Sequence, residues 1–495
     1  MFKLLDCTLR DGGYYTNWDF DKLLVRKYLE SLEKLPIDYI EIGYRSNVNN
    51  GYYGEYFYLP VDTLKFIRKS SSKKLAIMLN TKEFYDKQDL GLLDDLSRYI
   101  SLVRLATDPK KIEVAIKLAK EIRKRGFDVA INVMYISTID ENHHFFNYLD
   151  DIQENIDILN LVDSYGSIYP SQLKWLIEIV KDKIKIPLGF HGHNNLELAF
   201  INTLEAINSG INFIDSTILG MGRGAGNLKT ELMLSYMKSQ MNKDVNLNSL
   251  SRLIELFNPL LQKYKWGTNL AYIVSGSYSL PQKDVMKYLE INRYSMGAII
   301  NKINNESMQL PIYKPEQRSN NIVIIGGGAT VESNLEGIKK FIKCKKLTII
   351  HSTSKYINFF DDLDVTQIFA IAGDEINKIE NIPSYITYGV TSPVPIKEDS
   401  LKSIDCYKLK DIDFTKYKDS PLSISLEITN LLGANNIYLV GYDGYNKLNS
   451  KKELYLMNEN QEIINNYEKK LIFLTPTNYK NIYQKSIYRI LNESC

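Results

Sequence analysis

Residues 186–195 read IPLGFHGHNN: an apolar run that ends in His191, Gly192 and His193. In a β-strand, residues i and i+2 share a face, so the pair presents two imidazoles side by side. That suits one metal ion, imidazole being the commonest protein metal ligand. Surface or hydrogen-bonded histidines would read the same way from these residues alone. The chain has only five histidines, so the neighbouring segments decide between the two.

Outward from this stretch, seven further short apolar runs alternate with helical patterns. They are FKLLDCT (from Phe2), DYIEIG (Asp38), KLAIMLN (Lys74), ISLVRLA (Ile100), DVAINVM (Asp128), DILNLVD (Asp157) and NFIDSTILG (Asn212). Amphipathic stretches such as DPKKIEVAIKLAKEIRKRG separate them and end in glycine, as helices often do. Continuous apolar strands between helices imply a parallel sheet covered on its outer face. Eight such units in about 230 residues predict a (β/α)8 barrel rather than an open sheet. Polar residues gather near the strand ends: Asp11, Glu41, Asn80, Arg104, Asn132, Asp163, His191 and His193. A barrel collects those ends at one mouth, where catalytic groups belong. Single residues could cap the next helix, Asp163 above all, but the whole set predicts a site.

DCTLRDGGYY adds Arg10 and Asp11, followed by Gly12 and Gly13, which predict a tight turn at the mouth. STILGMGRGAGNLKTEL supplies a glycine-rich loop before Asn227, read as flexible. The motifs TLRDGG (Thr8–Gly13), IEIG (Ile40–Gly43), HGHNN (His191–Asn195) and GAGNLKTE (Gly224–Glu231) occur in order along residues 1–266. Together they resemble the TIM-barrel family of metal-dependent aldolases, lyases and acyl-CoA condensing synthases. It includes 4-hydroxy-2-oxovalerate aldolase, hydroxymethylglutaryl-CoA lyase and isopropylmalate synthase. The resemblance implies Asp11, His191 and His193 as metal ligands, with Asn227 as a further one. It implies Arg10 as the residue that stabilises an enolate oxygen. Among Mn, Mg, Co, Zn and Fe it implies manganese. The expected substrates are a 2-oxo acid, pyruvate first, and an aldehyde. A Claisen-type condensation on acyl-CoA is the alternative.

One position departs from the family. Its pyruvate aldolases carry a histidine three residues after the metal-binding Asp and its synthases a glutamate, whereas this chain has Tyr14. Tyr14 is the candidate proton-transfer group, with Glu41, Tyr15 or a metal-bound water as substitutes.

The length predicts two to four domains: a barrel over 1–265, a helical cap and linker over 266–318 and a second α/β domain over 319–495. In the resembling aldolases the segment after the barrel docks a partner dehydrogenase. From Asn321 strands and helices restart, predicting an open, parallel Rossmann-like sheet. IIGGGATVES could hold phosphate on backbone N–H groups at Gly326 and Gly328. It is no complete dinucleotide fingerprint, because Val331 stands at the third glycine position and His351 and Ser352 close the next strand. LVGYDGY (Leu439–Tyr445) resembles Rossmann-like domains of bacterial surface-glycan proteins. That implies a nucleotide or nucleotide-sugar near Asp443, and an aldol product that is an unusual sugar or a sugar decoration. It leaves a glycosyl-transfer module with an inactive barrel as a reading of another class.

With 44% hydrophobic residues, 24% charged residues and a net charge of +2, nothing points to nucleic acid or a membrane surface. Four scattered cysteines suggest neither a zinc knuckle nor a disulfide framework and fit a reducing cytoplasm. A homo-oligomer is compatible with all of this.

Overall fold

The computed structural model describes residues 2–48, 50–85, 89–94, 96–291, 299–300, 310–372, 382–393, 404–445 and 451–494. The chain divides into two units, Met1–Val285 and Met286–Cys495.

In the first unit eight parallel strands follow in chain order and close into a barrel. They are β1 (Lys3–Asp6), β2 (Tyr39–Tyr44), β3 (Lys74–Asn80), β4 (Leu102–Thr107), β5 (Asp128–Val133), β6 (Ile158–Asp163), β7 (Leu188–Gly192) and β8 (Phe213–Ser216). Closure is made by β1 on β8, with Lys3 opposite Phe213 and Asp6 opposite Ser216. An apolar floor of Leu5, Tyr39, Ala76, Leu102, Ala130, Ile158 and Phe213 fills one end of the barrel interior. Two residues further along five of these strands, on the same face, stand Glu41, Arg104, Asn132, Asn160 and Asp215, all buried. The interior therefore changes from apolar to charged within one strand repeat, and the charged layer opens toward the mouth.

Of the polar strand-end residues, Asn80 caps the short helix after β3, whereas Asp163 ties down the loop after β6 and caps no helix, since the helix Pro170–Lys183 begins after Tyr169 with no side-chain cap. Asn80 accepts from the Lys82 N–H at 3.2 Å, and the Asp163 carboxylate accepts from the N–H groups of Ser167 (3.0 Å) and Ile168 (3.3 Å). The turn expected at Gly12–Gly13 is corrected as well: both glycines lie inside helix α1 (Thr8–Thr16). The reason is close packing, since a Cβ on Gly13 would stand 2.1 Å from the Trp18 indole. Arg10, Asp11 and Tyr14 are thus set within about one turn of one rigid helix.

After the barrel come the helices Leu247–Tyr264, Leu270–Ser277 and Gln282–Ile291. They are tied to the mouth loops. Asn195 donates to the Tyr272 carbonyl at 3.1 Å and accepts from Gln282 at 2.6 Å, and Trp266 donates to the Leu219 carbonyl at 2.9 Å. Residues 292–298 and 301–303 of the expected helical cap, and Gln309 of the expected linker, lie outside the described residues.

Among its described residues the second unit holds eight parallel strands: β9 (Asn321–Ile325), β10 (Thr348–His351), β11 (Gln367–Ile371), β12 (Tyr388–Thr391), β13 (Cys406–Lys408), β14 (Asn436–Val440), β15 (Leu471–Phe473) and β16 (Tyr483–Gln484). Their order is β13-β12-β11-β10-β9-β14-β15-β16, so the winding reverses between β9 and β14. The expected open parallel sheet is present, and six of its strands were legible as apolar runs. The two edge strands were not. They are three and two residues long and half-buried or exposed, so they carry no apolar signature. Cys344 is disulfide-bonded, against the expectation from the sequence. No described helix is long and apolar enough to cross a membrane.

Candidate active site

A chain of buried charges runs across the barrel mouth. Arg10 donates from Nε to Glu41 at 2.6 Å and pairs through Nη1 with Asp11. Glu41 also meets Arg104 Nη1 at 3.2 Å, and Arg104 Nη2 reaches Asp215 at 2.5 Å. Asp215 in turn stands 3.0 Å from His191 Nδ1. Such pairs are tolerated in a dry interior only when each charge is compensated. Burial pushes the Asp215 carboxyl up, but Arg104 and His191 outweigh it and hold the group at about 2. Burial likewise raises Asp11, and Arg10 with His191 brings it below the usual carboxylate range. Glu41 Oε2 accepts from Arg10 and so orients it, while Glu41 Oε1 and Arg104 Nη1 form an ion pair without a hydrogen bond.

Both histidines are held in one tautomer. His193 Nδ1 lies 2.7 Å from the Asp163 backbone carbonyl, which can only accept, so Nδ1 carries the proton and Nε2 keeps its lone pair. Asp215 does the same at His191 Nδ1, the orienting arrangement typical of metal-binding histidines. Burial pushes the His193 imidazole down to about 3, which favours its neutral form. His191 Nε2 is buried 3.5 Å from Asp11 Oδ2 and has no hydrogen-bond partner. Asn227 donates to the same carboxylate at 2.6 Å, while its own Oδ1 is buried without a partner. Ligand atoms of Cys7, Asp11 and His191 lie within 4.8 Å of one another. An oriented imidazole lone pair, an ionised carboxylate and an orphaned amide oxygen together fit a cation.

The predicted ligands come from three distant segments. The His193 ring is 5.0 Å from that of His191, and Asn227 is brought in by an antiparallel bridge to His193. The loop read as flexible is pinned to strand ends: Asn194 N–H bonds Gly226 O at 2.8 Å and Asn227 N–H bonds Gly220 O at 3.1 Å. Gly226 holds φ at +80°, where a side chain is strained.

Tyr14 is half-buried, its hydroxyl 3.2 Å from that of Tyr44. The Arg223 guanidinium lies over the Tyr14 ring, 4.7 Å from its centroid. Cys7, Tyr44, Asp215 and Arg223 belong to this constellation and were not singled out from the sequence. The two-residue step from the buried floor residues Leu5 and Phe213 would have found Cys7 and Asp215; Arg223, on a loop, offered no periodic signal.

In the second unit Gly326, Gly328 and Asp443 come together and line a cleft of about 280 Å³ with Ser352 and Tyr442. It lies where the strand order reverses, the place where open α/β sheets bind ligands. Three backbone donors at this turn are already used. Gly326 and Gly328 N–H groups bond Val440 O (2.8 Å) and Gly441 O (2.7 Å). The Thr330 N–H, where a phosphate would sit, bonds the Asp443 carboxylate at 3.0 Å, and the Thr330 hydroxyl bonds it too.

The HMGL-like family model matches residues 97–257. The 4-hydroxy-2-oxovalerate aldolase of Carboxydothermus hydrogenoformans is 29% identical over 247 residues, 48% of this chain and 70% of that enzyme. Oxaloacetate decarboxylase of Mycobacterium tuberculosis is 26% identical over 235 residues, 48% of this chain and 69% of that one. Among solved structures, "the N-terminal domain of a putative aldolase" from Bacteroides vulgatus is 47% identical with a TM-score of 0.58. The match covers 61% of this chain and 100% of that domain.

Proposed function

This chain belongs, through its barrel, to the HMGL-like family, and on that premise we propose that it is a divalent-metal-dependent aldolase. It makes or cleaves a carbon–carbon bond between a 2-oxo acid, pyruvate first, and an aldehyde. The observation that carries this reading is the bare, oriented Nε2 of His191 beside the ionised Asp11, with Arg10 bonded to that same carboxylate.

Asp11, His191, His193 and Asn227 would hold the ion, with Cys7 at its edge; manganese is the expected metal. When bound, the ion supplies Lewis-acid polarisation of the ketone of a 2-oxo acid. Bond cleavage beside that ketone develops charge on its oxygen as an enolate. Arg10 is a permanent cation whose Nε and Nη1 are fixed by Glu41 and Asp11, which leaves Nη2 to donate to the developing oxyanion. Because the guanidinium is oriented before substrate arrives, little reorganisation is needed as charge builds. Arg104 acts through its two carboxylates, positioning Arg10 by way of Glu41 and His191 by way of Asp215. Tyr14 is the candidate proton-transfer group, its hydroxyl 3.2 Å from that of Tyr44. Little of a phenol is ionised near neutrality, so Tyr14 is expected to transfer the proton less readily than a histidine there would.

The test is release of pyruvate from 4-hydroxy-2-oxo acids by the purified full-length chain, stripped of metal and then reloaded with Mn²⁺. Activity should vanish on chelation and return on reloading. Metal-independent cleavage, or no pyruvate from any 4-hydroxy-2-oxo acid together with no exchange of pyruvate methyl protons in D₂O, rejects the reading.

A further inference from the structure

Three arginines stand in or beside the mouth, and two of them have carboxylate partners. Arg10 meets Asp11 and Glu41; Arg104 meets Glu41 and Asp215. Arg223 has neither an ion pair nor a hydrogen bond from its guanidinium to any described residue. It sits half-buried on the face of Tyr14, and among these neighbours Asp11 is the charged one that reaches it. Asp11 is already engaged by Arg10 and Asn227. A guanidinium drawn out of water without a counter-ion is unfavourable unless a ligand completes it. Its planar fork matches a carboxylate or a phosphate, bound through two parallel N–H donors.

Resting on the aldolase reading above, we propose that Arg223 recognises an anionic group, carboxylate or phosphate, on the aldehyde partner. The 2-oxo acid's own carboxylate belongs with its ketone at Asp11 and His191. Arg223 instead packs on Tyr14, three residues further along α1, a rise of roughly 4–5 Å. The surrounding tyrosines supply a wall and hydroxyl groups for such a partner. Gly222 and Gly224 flank Arg223 in a loop pinned by its own backbone bonds, so the guanidinium is presented on a fixed mount.

The experiment measures kcat/KM of the Mn²⁺-loaded full-length enzyme for aldol addition of pyruvate to three aldehydes. Butanal is neutral, succinic semialdehyde carries a carboxylate and glyceraldehyde 3-phosphate a phosphate. The wild-type enzyme should favour at least one anionic aldehyde over butanal by about tenfold to a hundredfold, the size of a charge-assisted pair. Preference for one alone assigns the anion. Arg223→Met should bring that ratio close to one, and Arg223→Lys, which keeps the charge but not the fork, should fall between. A wild-type enzyme without preference overturns the proposal, as does an Arg223→Met enzyme whose ratio is unchanged because all three aldehydes slow equally. Wild-type exchange of pyruvate methyl protons in D₂O separates the two levels. Exchange without aldehyde preference sinks this inference alone; no exchange together with no pyruvate from any 4-hydroxy-2-oxo acid sinks the aldolase reading and this inference with it.

Discussion

Two glycine-rich turns of this protein look alike in sequence and differ in what they leave unbonded. GMGRGAGN, at Gly220–Asn227, carries a cation with no ionic partner among the described residues and an amide oxygen buried without a hydrogen bond. IIGGGAT, at Ile324–Thr330, has the N–H groups of Gly326, Gly328 and Thr330 bonded to the chain itself, the last to Asp443. Glycine content reports backbone freedom and close approach. Whether a ligand belongs there depends on which polar groups remain unsatisfied once the turn is folded.

The largest effect that bears on this contrast is expected at the mouth. His191→Ala removes the oriented lone pair and should lower aldol cleavage by about a thousandfold or more, equivalent to roughly 4 kcal/mol. Metal content after chelation and reloading should fall with it, while circular dichroism stays unchanged. Full metal content in that variant would mean that the unsatisfied groups of the mouth do not mark a metal site.

Acid should reach the second sheet by a different route. His351 is buried with Nε2 2.8 Å from Gln367, and burial pushes its imidazole down to about 4 from 6.5. The unfolded chain therefore binds a proton that the folded sheet refuses between those values, so stability falls as pH drops from about 6.5 to about 4. The loss should reach roughly 3 kcal/mol. Hydrogen exchange in peptides from β9 to β11, corrected for the intrinsic pH dependence, measures it, and His351→Asn should flatten the profile. A wild-type profile that is already flat would remove His351 as the cause.

Arg10→Lys keeps a cation at the mouth but not its two fixed contacts. Turnover should drop about a hundredfold, with metal retained. Near-normal turnover would take Arg10 out of the mechanism and leave the charge chain a packing device.

The smallest effect is expected at the self-satisfied turn. Asp443→Ala frees the Thr330 N–H and should cost about 1 kcal/mol, the ordinary value of a lost helix cap, without altering aldol cleavage. If the wild-type protein binds a nucleoside diphosphate in that cleft and the variant does not, the contrast between the two turns fails.

Much of the barrel was legible because its causes are local. Apolar runs of strand length, helical spacing between them and a polar residue near seven of the eight strand ends all survive in one dimension. Asp11, His191, His193 and Asn227 could be singled out because each lies in a recognisable segment. What was missed arises from neighbours distant in the chain. Asp215 needs the register of β8 to show that it points inward beside Arg104, 111 residues away. Gly12 and Gly13 looked like a turn because nothing in the sequence says that Trp18 folds back over Gly13.

The sequence by itself determined the fold class, the order of the strands and the donor types gathered at the mouth, since side-chain chemistry and periodicity are properties of the chain. Only the tertiary structure decided how those groups are used. Closing the barrel joins Arg10, Glu41, Arg104, Asp215 and His191 into one chain of charges, and Asp215 and the Asp163 carbonyl fix the two histidine tautomers. It also leaves Arg223 as the guanidinium of the mouth without a partner among the described residues. Pairing and desolvation depend on distances of a few ångströms between segments more than a hundred residues apart, and those distances exist only after folding.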